Sequence, residues 1–463
     1  MLSARQRGHW HAAQRKLKSL GHCDPESFAL AKPAKGKKKR PDYDTIERIV
    51  LEVIDLVRAE LATRSVHVGH TVLELAVFSA LKDESTEPVD EIVQSVLSQG
   101  LHEPGFLIYP LFGFGLLHDR NRTFLNLPPN AEVIDRVSGI AVTSCLGDAA
   151  GFLAFLERAV TGLGVIGRLP ASHISHFLSM KGVTDWLLRN PILIVRVRSI
   201  SMGARENQGS YLRSIAHRAT LLGLVSALAE PRPGSRLLAG STQAVNNQET
   251  LNIRHYFVFE SAGAADQELR ADRVPIGPSR AAMLQFSDLN IDVDPAAWSS
   301  PSLKNRIGAL TDAVLDLEDL QASVSGKTSL VLRKKNLSEK LSISLHWARR
   351  SFASFADPRE AVIALAVAFE ALLSDGYSKG ITETIVARAR ICVKAQRGSP
   401  KLAEAVETLF EWRGGIVHKG EGPTGADLRQ ARRAFALSFV EVVKRVNAAT
   451  PRKTLEVATI FER

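Results

Sequence analysis

Beyond residue 300 the apolar residues recur at three- and four-residue steps, and that period restricts the C-terminal third of the chain to packed helices. Leu303, Ile307, Leu310, Val314, Leu317 and Leu320 form one stripe, and Leu341, Leu345, Ala348 and Phe352 form a second. Val362, Leu365, Ala366, Phe369, Leu372 and Leu373 form a third. Each stripe is one face that must leave water, and helices stacked side by side bury it. Asp357-Pro358 suits the start of the third helix, with a carboxylate to cap it and a proline in its first turn. Ile381 to Val393 and Leu402 to Trp412 continue the pattern, with a short extended piece expected at Ser329 to Arg333. A closing helix, Ala426 to Val446, presents Leu428, Ala431, Phe435, Phe439, Val442 and Val446 to a core.

Upstream the pattern is mixed. A chain of 463 residues exceeds what one ordinary core fills, so two domains plus tails are expected. Helical spacing starts after Tyr43, with Ile46, Ile49, Val50, Val53, Ile54 and Val57, and returns in Thr71 to Leu81 and Val89 to Leu97. Thr123 to Leu127, Ile192 to Ile200 and Asn252 to Phe259 have strand character. Residues 41–295 therefore read as a mixed α/β domain of unknown role, closed by a loop from Asp292 to Pro301. The fold class is mainly α, with the helical domain occupying 300–463.

Charge sorts the same segments. Residues 1–40 hold eleven Lys or Arg against Asp24 and Glu26, a balance of +9, and residues 301–463 carry +8. The formal total is +10, so the segment between them holds −7. The first forty residues end in Lys32-Pro33-Ala34-Lys35-Gly36-Lys37-Lys38-Lys39-Arg40 and read as a flexible basic arm. A basic C-terminal third suits a polyanionic partner. Three widely separated cysteines, Cys23, Cys145 and Cys392, give neither a disulfide framework nor a zinc spacing and fit a cytoplasmic setting. No secretory core or membrane-length apolar run is present, so no membrane partner is expected.

One short stretch carries chemistry: Trp412-Arg413-Gly414-Gly415-Ile416-Val417-His418-Lys419-Gly420. Arginine holds a phosphate by charge and forked hydrogen bonds, and histidine, with an ordinary pKa near ~6.5, trades protons at neutral pH. Those are the parts that phosphodiester cleavage needs. On an unbroken helix residues five apart diverge by about 140°. The glycine pair, poor in helix propensity, is expected to break the helix and swing both side chains together, or else the motif meets its copy in a second subunit. The spacing alone is not specific, because Arg168-Leu169-Pro170-Ala171-Ser172-His173 repeats it.

The order of elements around the motif resembles the Apea-like branch of the HEPN superfamily over roughly residues 300–450. The match runs through Leu345-His346-Trp347-Ala348-Arg349-Arg350-Ser351, Phe369-Glu370-Ala371-Leu372-Leu373, Ile381 to Val393, Arg413 to Gly420 and the closing amphipathic helix. The resemblance implies a HEPN-type bundle that cuts RNA without metal or cofactor, with Arg413 and His418 catalytic and Glu370 and Lys419 supporting. It further implies a homodimer, an antitoxin or regulatory partner, and a role in phage defence or a toxin–antitoxin setting. The family often has a polar residue, commonly asparagine, where this chain has Gly414. The alternative expectation is an inactive helical module for dimerisation, RNA binding or partner docking.

Other motifs carry less. Gly162-Leu163-Gly164-Val165-Ile166-Gly167 matches a dinucleotide fingerprint as text but follows a helical pattern, so a helix ending is expected there. Gly326-Lys327-Thr328 lacks the first glycine and the downstream helix of a phosphate loop. His67 with His70, and His173 with His176, are placed to share helical faces without completing a metal site. Gly105 to Leu117, rich in glycine and aromatics, reads as a packed loop.

Overall fold

The computed structural model describes residues 2–21, 24–33, 37–38, 40–63, 67–68, 70–98, 103–111, 114–119, 132–143, 148–180, 184–197, 200–201, 208–229, 235–237, 255–261, 265–275, 288–324, 329–353, 357–376, 380–423, 427–449 and 455–462. It is mainly helical, with a six-stranded antiparallel sheet between helical layers. The strand expected at Thr123 to Leu127 and the glycine-lysine-threonine sequence at 326–328 lie outside the described residues.

The first layer corrects an expectation. Residues read as a flexible arm form α1 (Ala4–Leu20) and α2 (Pro25–Ala31), which pack on α3 (Arg40–Thr63), α4 (His70–Lys82) and α5 (Pro88–Ser98). Trp10, Ala13, Leu17 and Phe28 are buried there with Ile46, Val53, Phe78 and Val93. The physical reason is charge matching: the basic segment meets the acidic one. Lys16 lies 2.8 Å from Asp42, Lys18 2.9 Å from Glu84, Arg40 2.7 Å from Asp44, and Lys32 pairs with Glu47. Each exposed pair contributes little, but together they remove the repulsion that would otherwise hold the segment off the core. His67 falls in β1 (His67–Val68) and His70 opens α4, so those two share no helical face.

The sheet is built from β2 (Glu103–Pro110), β4 (Glu132–Asp135), β5 (Ile140–Thr143), β6 (Ile192–Arg196), β9 (His255–Ser261) and β10 (Arg270–Pro275), in the order β10-β9-β2-β6-β5-β4. Short strands β3 (Phe114–Asp119), β8 (Ser235–Leu237) and β11 (Ile291–Val293) form a second sheet, and β7 (Ile200–Ser201) pairs with β1. Gly105 to Leu117 thus supplies parts of β2 and β3, not a loop: its glycine-rich composition hid alternation that both faces of the sheet use. Phe106 and Ile108 face one core with Ile192, Ile194, Phe257 and Phe259, while Leu107 and Tyr109 face the other with Leu193, Val195, Tyr256 and Val258. Helices α6 (Ala149–Leu163), α7 (Ala171–Ser179) and α8 (Trp186–Arg189) cover the first face. Gly164 ends α6 at φ +67°, as a left-handed cap, in keeping with the helix ending read there.

The other face meets α9 (Gln208–Leu228) and the C-terminal helices: α10 (Pro295–Trp298), α11 (Pro301–Val324), α12 (Ser329–Arg350), α13 (Pro358–Leu373), α14 (Ile381–Val393), α15 (Ser399–Lys419), α16 (Arg429–Ala448) and α17 (Val457–Phe461). One hydrophobic core runs from this sheet face through the bundle, across the boundary expected near residue 300. Polar contacts cross it as well, with His217 Nδ1 3.0 Å from Glu318 Oε1. The segment 292–301 holds the end of β11 and α10. The extended piece expected at Ser329 to Arg333 is instead the first turn of α12, where continuing the helix satisfies the backbone that an isolated extended piece would leave unpaired. Asp357 does cap α13, accepting from the Arg359 amide at 2.8 Å, with Pro358 in the first turn.

Burial of His255 in this sheet makes stability depend on pH. Its imidazole is 5% exposed, and burial, aided by the charge of Arg273, lowers its pKa to about 4. The unfolded chain, with a value near ~6.5, binds the proton first as pH falls. The contribution of the neutral ring is complete above ~6.5 and is lost between there and about 4, a change of roughly 2–3 kcal/mol. Denaturant unfolding of wild type and His255→Gln at pH 7.5 and 4.5 checks this: the wild type loses more stability on acidification. Equal losses overturn the assignment.

Candidate functional site

Helix α15 carries the arginine–histidine motif, and it runs unbroken through the glycine pair. Ser399–Lys419 is one α-helix, ended by Gly420 at φ +70°, whose amide returns to the Ile416 carbonyl at 3.2 Å. The expected break at Gly414-Gly415 is therefore corrected. Packing on α13, α14 and α16 supplies more than the roughly 1 kcal/mol that each glycine costs a helix, so tertiary context overrides propensity. A side chain added at Gly414 meets nothing within 4 Å, whereas one at Gly415 lies 3.1 Å from the Glu421 carbonyl oxygen. Gly414→Ala is expected to raise stability by about 0.5–1 kcal/mol, and Gly415→Ala to gain less or to lose. Thermal melts of both variants check it; equal behaviour would show that the two glycines share one environment.

On this helix Arg413 and His418 diverge by about 140° and are separated by about 7.5 Å along the axis. Arg413 points to α13: its Nη2 lies 3.3 Å from Glu370 Oε1, with the two side chains 34% and 28% exposed. The structure thus brings Arg413 and Glu370 together and leaves His418 and Lys419 exposed in the last turn of α15. A half-exposed ion pair of this kind contributes at most about 1 kcal/mol, so a phosphate can compete with Glu370 for the guanidinium. The last turn is also where the negative end of the helix dipole favours a cation.

The duplicate spacing lies elsewhere. Arg168 sits in a bridge to Glu268, and His173 is exposed on α7, in a layer on the far face of the sheet from the bundle. A cavity of about 400 Å³ between α1 and α3 is lined by Arg5, His9, Arg48, Glu52 and Asp55 and shares no residue with the motif. Among the described residues no three His, Cys, Asp or Glu side chains are grouped to hold a metal ion. Cys392 is buried in the bundle, and burial raises its thiol to about 12, so it is not a nucleophile at neutral pH. No helix among the described residues is long and apolar enough to cross a membrane.

The surroundings of the motif add residues that spacing did not single out. Arg359, in the first turn of α13, packs its stem at Gly422, where an added Cβ would lie 3.0 Å from its Cγ. At the start of α16, Arg432 donates to the Ser351 carbonyl and lies 4.3 Å over the Phe352 ring. The end of α12, the start of α13, the end of α15 and the start of α16 therefore share one end of the bundle. Compared with protein-family models, with curated proteins and with solved structures, the chain gives no match.

Proposed function

We propose that the C-terminal bundle is a metal-independent RNA endonuclease of the HEPN type, acting as a homodimer. The observation that carries this reading is the placement of Arg413 and His418 on one continuous helix, half-buried and exposed respectively. Diverging side chains on a single copy do not meet one phosphate, so a second copy supplies the missing partner. The 2′-hydroxyl attacks the adjacent phosphorus, the P–O5′ bond breaks, and the 5′ oxygen takes a proton. His418 moves those protons and Arg413 balances the charge that grows on the phosphate oxygens. The products are a 2′,3′-cyclic phosphate and a 5′-hydroxyl, and DNA, lacking the 2′-hydroxyl, is not cut. Glu370 holds Arg413 in place between turnovers, and Lys419 adds charge beside His418.

The test is cleavage of RNA by the purified full-length chain with end-group analysis. Activity that persists in EDTA, yields cyclic phosphate ends and disappears in Arg413→Ala and His418→Ala supports the reading; activity that EDTA removes sinks it. The Arg413–Glu370 pair also favours a second reading, a bundle whose arginine is neutralised and which only dimerises, binds RNA or docks a partner. Equal behaviour of wild type and both variants in the same assay selects that one. A setting in phage defence or beside an antitoxin belongs to this proposal and is tested by growth arrest on induced expression.

A further inference from the structure

The end of the bundle that carries His418 also carries a flat cationic plate. Arg350, the last residue of α12, is exposed, and its guanidinium carbon lies 4.8 Å from the centroid of the Trp347 ring. Trp347 in turn is half-buried against the main core, and His346 meets it edge-on, with rings 6.0 Å apart and 85° between planes. The indole therefore carries the guanidinium over its ring while the arginine stays exposed to solvent. Arg350 makes no ion pair or hydrogen bond through its side chain with a described residue. Neither do Arg359 or Lys419, exposed residues whose helix ends lie at the same end of the bundle. Exposed arginines and lysines with no carboxylate partner are poised for an anion, and a planar guanidinium on an aromatic ring is poised for another plane.

We infer that Arg350, held on Trp347, is a stacking plate for an unpaired RNA base, with Arg359 and Lys419 taking the flanking phosphates. This deepens the ribonuclease proposal and rests on it: it specifies a single-stranded substrate. Bases stack on guanidinium planes and aromatic rings when they are free of a helix, and a base within a duplex cannot reach the plate. A lysine at 350 keeps the charge and loses the plane, so Arg350→Lys separates stacking from electrostatics.

The experiment uses the full chain with His418→Ala, so that the RNA stays intact, and an unpaired 12-nucleotide RNA containing 2-aminopurine. Binding should quench the fluorophore. Adding Arg350→Lys should abolish the quench and weaken binding roughly five- to fifty-fold, with the same RNA annealed to its complement bound equally by both proteins. Trp347→Leu should repeat the effect, and a circular dichroism melt of Arg350→Lys confirms the fold. Unchanged quench and affinity in Arg350→Lys, or no RNA binding at all, overturns the plate. Cleavage by the unmutated chain is scored separately: cleavage without quenching sinks the plate alone, and quenching without cleavage sinks the nuclease alone.

Discussion

His418→Ala and Arg413→Ala are each expected to lower RNA cleavage by roughly 10²–10⁴, the range of one general acid–base or electrostatic contribution. A mixture of the two inactive proteins is nevertheless expected to recover about a quarter of the wild-type rate, by assembly of a twofold dimer. The reason is geometric. The motif helix is continuous, so Arg413 turns toward Glu370 while His418 turns toward solvent, about 140° away. If each site takes its arginine from one copy and its histidine from the other, a mixed dimer has one intact site of two, and half of a random mixture is mixed dimer. If both groups come from one copy, mixing restores nothing. The rate of the subunit-exchanged mixture, set beside its two parents, reads the difference directly, and both variants should melt with wild type because neither side chain is buried in the core. Arg413→Lys adds a control, since it retains charge without the bidentate fork and should stay well below wild type.

The features of this site that were legible in the sequence are those written in local pattern. The stripe from Leu303 to Leu320 reads out as α11, Asp357-Pro358 as the cap of α13, and Ile192 onward as β6, because burial repeats every three to four residues in the helix, while a short, continuous β-branched apolar run marks a strand buried on both faces. The continuity of α15 was not legible. Gly414-Gly415 weighs against a helix locally, and only the packing of its neighbours outweighs that preference. Arg359 and the Arg350–Trp347 pair were missed as site residues for a related reason. They lie more than fifty positions before His418, and what brings them to the same end of the bundle is the antiparallel order of α12, α13 and α15. A signal was available for the pair: tryptophan and arginine three apart in the last turn of a helix, on one face. Lys32 to Arg40 misled in the opposite sense, since a run of like charge reads as solvated until its partners, Asp44 and Glu47, are placed beside it.

Trp10→Ala is expected to cost about 3–5 kcal/mol and to release the N-terminal helices from α3 and α4. The side chain is 0% exposed, and its indole N–H donates to the Ser85 carbonyl at 2.8 Å, an acceptor that Gln14 also reaches at 2.9 Å. Truncation removes the largest buried surface in α1 and takes one donor from a buried carbonyl, so the cavity and the lost hydrogen bond act together. A flexible basic tail would have no such residue, and its mutation would leave the protein unchanged. Because a chain of this length need not unfold in a single step, a local measurement is the sharper one. Hydrogen exchange should quicken in α1, α3 and α4 of the variant while the amides of α13 and α15 keep their protection. Trp10→Phe, which retains most of the apolar volume, should show a smaller change in the same helices. Wild-type exchange throughout the layer would mean that the basic segment is not part of the folded core. Loss of protection that spreads into α13 would instead mean that the layer and the bundle unfold as one unit, through the packing of α3 on α11.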